Sequence, residues 1–377
     1  MHALGAAGSD SAGTETSRYL VSIRGPEHAY FYRHIITELQ GQGHTVRVCV
    51  RDDGTTSSLL DGFGIGHTVL AQDPGSLPEA LFARARYEAG LLGDARRFKP
   101  DVLTSVGGVD IAHVAPAIGA RTLAFVEHRS TGTELLRVPT PDVVCTPEAF
   151  PEAVSGEQRQ YDGCQQLAYL HPDRFESRPE RLRQYGIDPE ERLFLLRFTD
   201  SSLGRSNGLS QDAQQELVST LSNHGDVYIR SAEPLPTPLS EHRVPVPPLL
   251  LHDLLSAANL YVGDSKTMAT EAAVLGTPAI RYGQSTPEAG VLAELESDFG
   301  LVASFGTENR TIRAVRRWLA EPDLQSTWRA RRGQLLNETE DVTAFAVEQL
   351  DSLGIHPDDS HAPEQTPAQE PAMLRES

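Results

Sequence analysis

From Tyr19 onward the chain runs in short apolar blocks separated by polar turns. Tyr19–Ile23 is a continuous apolar run of strand length, the pattern of a parallel strand buried on both faces. The loop Arg24–His28 follows. Over Tyr30–Gln40 the apolar residues Phe31, Ile35, Ile36 and Leu39 recur at helical spacing, and Gly41 and Gly43 end the helix. Thr45–Val50 predicts a second strand, so the chain opens as a βαβ unit. The same pattern predicts helices at Ser57–Phe63, Leu77–Phe98 and Ile111–Ile118. It predicts strands at His67–Leu70, Val102–Ser105, Arg121–Phe125 and Val143–Cys145.

Periodicity fades over Glu148–Asp173, a polar stretch holding Gly156, Gly163 and Pro172, which predicts an interdomain connection. A second alternating set then begins. Its strands are Leu193–Arg197, Asp226–Arg230, Leu260–Val262 and Ala279–Arg281. Its helices are Gln211–Ser222, Leu251–Ala257, Lys266–Leu275 and Arg310–Ala320, with further helices between Leu324 and Leu353. Two alternating sets predict an α/β protein of two Rossmann-like domains, with parallel sheets facing across a cleft. The length of 377 residues agrees with two cores rather than one. The expected division is a disordered leader at 1–17, domains at 18–165 and 166–353, and a disordered acidic tail at 354–377.

Ligands of such sheets sit beyond the carboxyl ends of the strands, which directs attention to a few loops. The segment Leu260–Arg281 carries the strongest signal. A strand leads to Gly263 and Asp264, Ser265 stands at the helix N-cap, and Gly276-Thr277-Pro278 closes the helix. Free N–H groups and the positive dipole end of that helix suit a diphosphate. Asp264, Ser265, Thr267 and Met268 are its candidate contacts. Glu271 lies one turn beyond Thr267, where a carboxylate can accept hydrogen bonds from a ribose diol. An ordinary capped crossover helix would carry the same features.

Three further groups open on the same cleft. After the first strand, Arg24 is placed to meet a phosphate or a sugar carboxylate, Gly25 permits close backbone approach, and Glu27 and His28 begin the helix. A histidine there can act as general base, since its ordinary pKa is near neutrality; a loop histidine with no chemical role is the plainer reading. Gly107, Gly108 and Asp110 follow another strand, and Glu127, His128 and Arg129 a third. Asp110 and Glu127 form a candidate acid/base pair, against a helix cap for the one and a solvated loop for the other. Arg197 ends the first strand of the second domain and precedes the polar loop Thr199–Ser210, which suits phosphate or plain exposure. No phosphate-loop, nucleophile-elbow or zinc-helix motif occurs, and the histidines lack metal-ligand spacing, so no metal and no cofactor is expected.

Taken together, the stretches GPEHAYFYRHIITELQGQGHTVRVCVRD, CTPEAFPE, YDGCQQLAYLHPDRF, LLRF and GDSKTMATEAAVLGTPAIR resemble the family known as domain of unknown function 354. The resemblance runs from about Tyr19 to about Leu353 and implies the two-domain glycosyltransferase-B fold. His28 is similar in position to a glycine-flanked histidine of peptidoglycan-type glycosyltransferases, and Glu271 to their ribose-binding glutamate. SIRGPE, GGVD and FVEH are similar to three segments of non-hydrolysing UDP-N-acetylglucosamine 2-epimerases, which puts Asp110 and Glu127 on acid/base positions. The epimerases' His-Arg-Arg-Glu-Asn motif is absent; LRFTDSSLGRSN stands in its place.

These similarities imply a metal-independent transferase using a nucleotide-sugar donor, UDP-linked by expectation. The first domain would hold the acceptor and the second the donor. Epimerisation at C2 and non-catalytic sugar-nucleotide binding are the alternatives. The acceptor, a lipid-linked molecule among the candidates, and the oligomeric state stay open.

Charge narrows the partners. With 52 acidic and 33 basic residues the net charge is −19, which repels a nucleic-acid backbone. No apolar run approaches the ~20 residues of a membrane span, and the N-terminus lacks the basic start and apolar stretch of a signal peptide. Three cysteines without a paired spacing fit a reducing compartment, so the cytoplasm is expected. Lys99 and Lys266 are the only lysines. An acidic, lysine-poor surface fits solubility in concentrated salt and a halophilic source. The expected outcome is a thermal midpoint held or raised as potassium chloride reaches molar levels; unfolding along that titration would overturn the idea.

Overall fold

The computed structural model describes residues 16–72, 77–127, 140–198, 208–231, 234–283 and 289–354, with side chains of 77–81 left aside. Nearly all of the expected leader and tail lie outside the described residues; Ser17, at the end of the expected leader, is buried and donates its N–H to His44 Nδ1 at 3.2 Å. The first sheet has seven strands: β1 (Arg18–Ile23), β2 (Thr45–Asp52), β3 (Thr68–Gln72), β4 (Val102–Val106), β5 (Arg121–Phe125), β6 (Val143–Pro147) and β7 (Glu157–Tyr161). The second has five: β8 (Leu193–Arg197), β9 (Asp226–Arg230), β10 (Leu260–Gly263), β11 (Ala279–Tyr282) and β12 (Val302–Phe305). Every pairing is parallel.

Helices cross between the strands. The first lobe uses α1 (Pro26–Gly41), α2 (Thr55–Gly62), α3 (Leu77–Phe98) and α4 (Val109–Val114), and the connection carries α5 (Leu167–Leu170). The second lobe uses α6 (Gln211–Ser222), α7 (Leu251–Ala257), α8 (Lys266–Leu275), α9 (Val291–Ser297), α10 (Glu308–Leu319) and α11 (Leu324–Glu338). The final helix, α12 (Val342–Gly354), returns to the first lobe and packs on α1 and against β4 and β5. Tyr19 donates to Asp351 Oδ1 at 2.9 Å, and His44 Nε2 lies 3.3 Å from the same oxygen, fastening this helix down.

The strand orders β3-β2-β1-β4-β5-β6-β7 and β12-β11-β10-β8-β9 each reverse direction once. The reversals fall between β1 and β4 and between β8 and β10. Crossovers on opposite faces part there and leave a crevice beyond the strand ends. In the first sheet that crevice is bounded by Arg24–His28 and Gly107–Gly108, in the second by Arg197 and Asp264–Thr267.

Two strands and two α-helices lie where the sequence pattern predicts none. β7 and α5 fall inside the stretch read as a polar connection, and β12 and α9 were not foreseen. β7 is an edge strand, EQRQY, whose solvated face has no reason to be apolar. α5 is four residues long, too short for a helical period to show. The helix expected over Ile111–Ile118 gives way to a 3-10 turn at Ala115–Ala117, where Pro116 has no N–H to continue the α ladder.

All four residues of α5 are buried, and the helix packs on α1 and α12 on one side and on α8 on the other. One apolar cluster therefore runs through both lobes. At its polar centre Tyr169 donates to Glu271 Oε1 at 2.9 Å, and His252 Nε2 approaches the same oxygen at 3.1 Å. Burial and the neighbouring carboxylate push the Tyr169 hydroxyl pKa far above its ordinary value, so the proton stays on the tyrosine. Tyr30 of α1 stacks on Tyr169 at 5.5 Å between ring centroids and sets its edge on His252 at 4.4 Å. Its hydroxyl donates to Pro248 O at 2.8 Å. Tyr169→Phe removes one donor from a buried carboxylate. It is expected to lower the free energy of unfolding by about 1–3 kcal/mol, measured by urea titration.

Candidate functional site

Beyond the strand ends of the first sheet lies a cavity of about 210 Å³ whose walls come from both lobes. Glu27 and His28 from the start of α1, Gly107 after β4 and Glu127 after β5 supply one side; Thr267 from the first turn of α8 supplies the other. Five of the candidates read from the sequence are thus brought together. Gln165, Gln166 and Tyr169 from the connection close the wall, and Phe31 and Phe125 form an aromatic face, 4.8 Å between centroids.

The glycines shape the entrance. Gly107 and Gly108 both have positive φ, +89° and +74°. A Cβ on Gly108 would stand 2.6 Å from Ala124 Cβ, and one on Gly107 would stand 2.9 Å from Arg24 Nη2. Glycine is therefore required at both positions. Arg24 uses that room to cross between the two switch-point loops, donating from Nη2 to Val106 O at 3.1 Å. Gly25 is extended at φ −173°, a conformation open to any residue, and a Cβ there would meet only the movable Glu27 carboxylate.

His28 is buried, and its Nδ1 accepts the Arg24 N–H at 3.3 Å. The neutral ring then carries its proton on Nε2, which lies 3.7 Å from Glu27 Oε1. Burial, helped by the Arg24 charge, holds the His28 pKa down to about 3. That leaves the ring a weak base and a ready neutral donor. Glu27 sits at the open mouth with its carboxyl held above the usual range by the surrounding protein, with Asp53 and Glu271 adding to the shift. Glu127 is buried, and its Oε1 accepts the Gln165 N–H at 2.9 Å while Oε2 faces Gln166 Nε2 at 3.5 Å.

Asp110 is placed elsewhere. Its carboxylate is buried beneath the loop, accepting from Ser22 Oγ and, at 3.2 Å, from Ser105 Oγ. Ser105 Oγ also accepts the Gly108 N–H at 3.2 Å, so this network holds the glycine turn in shape without entering the cavity.

On the second lobe Ser265 caps α8 by accepting the Met268 N–H at 3.2 Å. The first-turn N–H groups of Lys266 and Thr267 have no acceptor within the helix. Met268 itself is buried, and Asp264 and Ser265 are partly exposed at the tip. Two cations that the sequence reading passed over stand here. Arg281, at the end of β11, pairs in register with Gly263, is 5% exposed, and has Nε and Nη1 without hydrogen-bond partners. Burial and the Arg281 charge lower the Lys266 pKa, and burial lowers that of Arg281. Arg197 is turned back on its own chain, Nη1 donating to Phe198 O. Glu271 lies behind the tip in the seam with Tyr169 and His252 rather than in the cavity wall. His128, Arg129 and most of the loop after Arg197 lie outside the described residues. Among the described residues no cluster of three His, Cys, Asp or Glu side chains is placed to hold a metal ion. None of their helices is long and apolar enough to cross a membrane.

The residues missed gave weak local signals. Gln165, Gln166 and Tyr169 sit in a stretch without period, and Arg281 reads as an ordinary strand-end residue. Lys266 had one mark, being one of two lysines.

This arrangement is a two-domain α/β fold of the glycosyltransferase-B type, as its likeness to solved structures shows. The spinosyn forosaminyltransferase SpnP is similar at TM-score 0.59 and 16% identity, over 90% of this chain and 100% of that one. UDP-GlcNAc 2-epimerase from Neisseria meningitidis bound to UDP-GlcNAc is similar at TM-score 0.58 and 15% identity, over 89% and 100%. MnaA of S. aureus, in a co-structure with UDP, is similar at TM-score 0.63 and 12% identity, over 89% and 95%. Residues 19–288 match the family described as "Protein of unknown function (DUF354)", and the chain belongs to it. No curated protein matches the sequence.

A buried histidine with a lowered pKa links stability to pH. The unfolded chain, with histidines near the ordinary ~6.5, takes up protons that folded His28 refuses until about pH 3 and folded His34 until about pH 4. Their contribution to stability is intact above pH ~6.5 and is lost as pH falls towards those values. Urea midpoints are expected to drop over this range, and less steeply in His28→Asn. A His28 ring resonance that titrates near pH 6.5 would contradict the assignment.

Proposed function

We propose that the chain binds a nucleotide-activated sugar, UDP-linked by preference, and transfers the sugar to an acceptor hydroxyl. The observation that carries this reading is a capped helix tip whose Thr267 lines the inter-lobe cavity, with the buried, unpartnered guanidinium nitrogens of Arg281 near its Asp264 and Lys266. In a chain of net charge −19, Arg281, Lys266 and the α8 N-terminus concentrate positive potential at one place. A diphosphate satisfies all three. Thr267 belongs both to that tip and to the cavity wall, so a ligand gripped there directs its next group into the cavity.

Within the cavity Glu127 is the proposed base. The acceptor oxygen attacks the anomeric carbon, its proton passes to the Glu127 carboxylate, and the bond from that carbon to the diphosphate oxygen breaks. The nucleoside diphosphate leaves with the bonding pair, its charge met by Arg281, Lys266 and the helix tip. His28, neutral with its proton on Nε2, serves as a donor rather than a base. Asp110 keeps the Gly107–Gly108 turn in place. A ribose role for Glu271 falls to Oε2, because Tyr169 and His252 occupy Oε1, and the ribose has to reach a carboxylate that is buried behind the tip. The sequestration of Asp110 weighs against epimerisation, which by resemblance would use it as an acid/base group.

Titration calorimetry with UDP and UDP-glucose tests the reading. Binding by the wild-type chain is expected, weakened about tenfold or more in Arg281→Gln, since a buried charged hydrogen bond is lost. Absence of heat with either nucleotide, or equal affinity in the variant, would overturn it.

A further inference from the structure

The cavity has a second face whose chemistry differs from that of the helix tip. Gln165 is 9% exposed and Gln166 is 4% exposed, and both line the cavity. Gln166 Oε1 and Gln165 Nε2 have no hydrogen-bond partner. The Gln165 amide approaches the Tyr161 hydroxyl, which also closes no hydrogen bond of ordinary geometry. Buried polar groups left unmatched cost roughly 1–3 kcal/mol each, so adjacent ones bordering a cavity mark a place where a ligand or ordered water completes the bonding.

Three properties narrow the ligand. The wall offers an acceptor at Gln166 Oε1, a donor at Gln165 Nε2 and carboxylate oxygens at Glu127, a mixture that hydroxyl groups can match because each both donates and accepts. The carboxylates of Glu27 and Glu127 disfavour an anion here, whereas the cations gather at the α8 tip. Phe31 and Phe125 add an apolar face to the same cavity. A hydroxylated ring has this same division, with polar groups at its rim and C–H bonds on its faces. A volume of about 210 Å³ gives room for one such ring.

We infer that Gln165 and Gln166 form a specificity wall that reads the hydroxyl rim of a single neutral pyranose ring, with Glu127 held between them and the reacting carbon. The inference rests on the sugar-nucleotide reading for how the ring arrives, and its test separates the two. In the full chain, Gln166→Met keeps side-chain length and removes both polar ends; Gln165→Met does the same beside it. UDP and UDP-glucose are titrated into wild type and both variants, with thermal unfolding to show that each variant folds.

The expected result is unchanged affinity for UDP and a loss of roughly tenfold for UDP-glucose in at least one folded variant. Equal changes for both ligands, or none for either, would overturn the wall while leaving nucleotide binding standing. If neither nucleotide binds wild type, saturation-transfer NMR with free glucose decides the matter. Transfer that is lost in the folded variants supports the wall without the nucleotide. Its absence in wild type, or its persistence in both variants, overturns the wall, leaving water as the partner of both amides.

Discussion

Two lobes of this size need a reason to stay in register, and the reason here is a buried carboxylate. Glu271 cannot be left bare inside an apolar seam, because an unpaired buried charge costs several kcal/mol. Tyr169 from the connection and His252 from α7 meet it, and Tyr30 of the first lobe stacks over both. Glu271 and its two partners come from α8, α5 and α7, so the bonding is complete only when these three are in place, with Tyr30 of α1 packed over it. Three of these elements, α1, α5 and α8, also line the cavity.

The seam also sorts charge. On the second lobe, cations and a helix tip collect at the ends of β10 and β11. On the first, carboxylates collect at the ends of β1 and β5. A ligand that is anionic at one end and neutral at the other fits this polarity in one orientation only.

Much of the fold was legible in the sequence because strands buried on both faces and helices buried on one leave strong periodic marks. Leu77–Phe98, Gln211–Ser222 and Lys266–Leu275 coincide with the observed helices, as Leu193–Arg197 and Asp226–Arg230 do with the strands. β7 was illegible because an edge strand needs no apolar face, and α5 because four residues hold barely one turn. The candidate site was legible where residues follow directly from strand ends: Glu27, His28, Gly107, Glu127 and Thr267 meet in one cavity. Asp110 and Glu271 share that sequence logic, yet hydrogen bonding turns each away from the cavity. Side-chain partners at long sequence separation decide that, and no local pattern records them. Gln165 and Gln166 were hidden for the converse reason, since their surroundings come wholly from tertiary packing.

The return of α12 to the first lobe has a bearing on how the chain is made. The first sheet lacks the cover over β4 and β5, and Asp351 for Tyr19 and His44, until the last helix arrives. A ribosome releasing the chain from its N-terminus therefore delivers the first lobe unfinished, with apolar surface waiting through the synthesis of the second. A gene cut at the connection would yield a first half without its clasp.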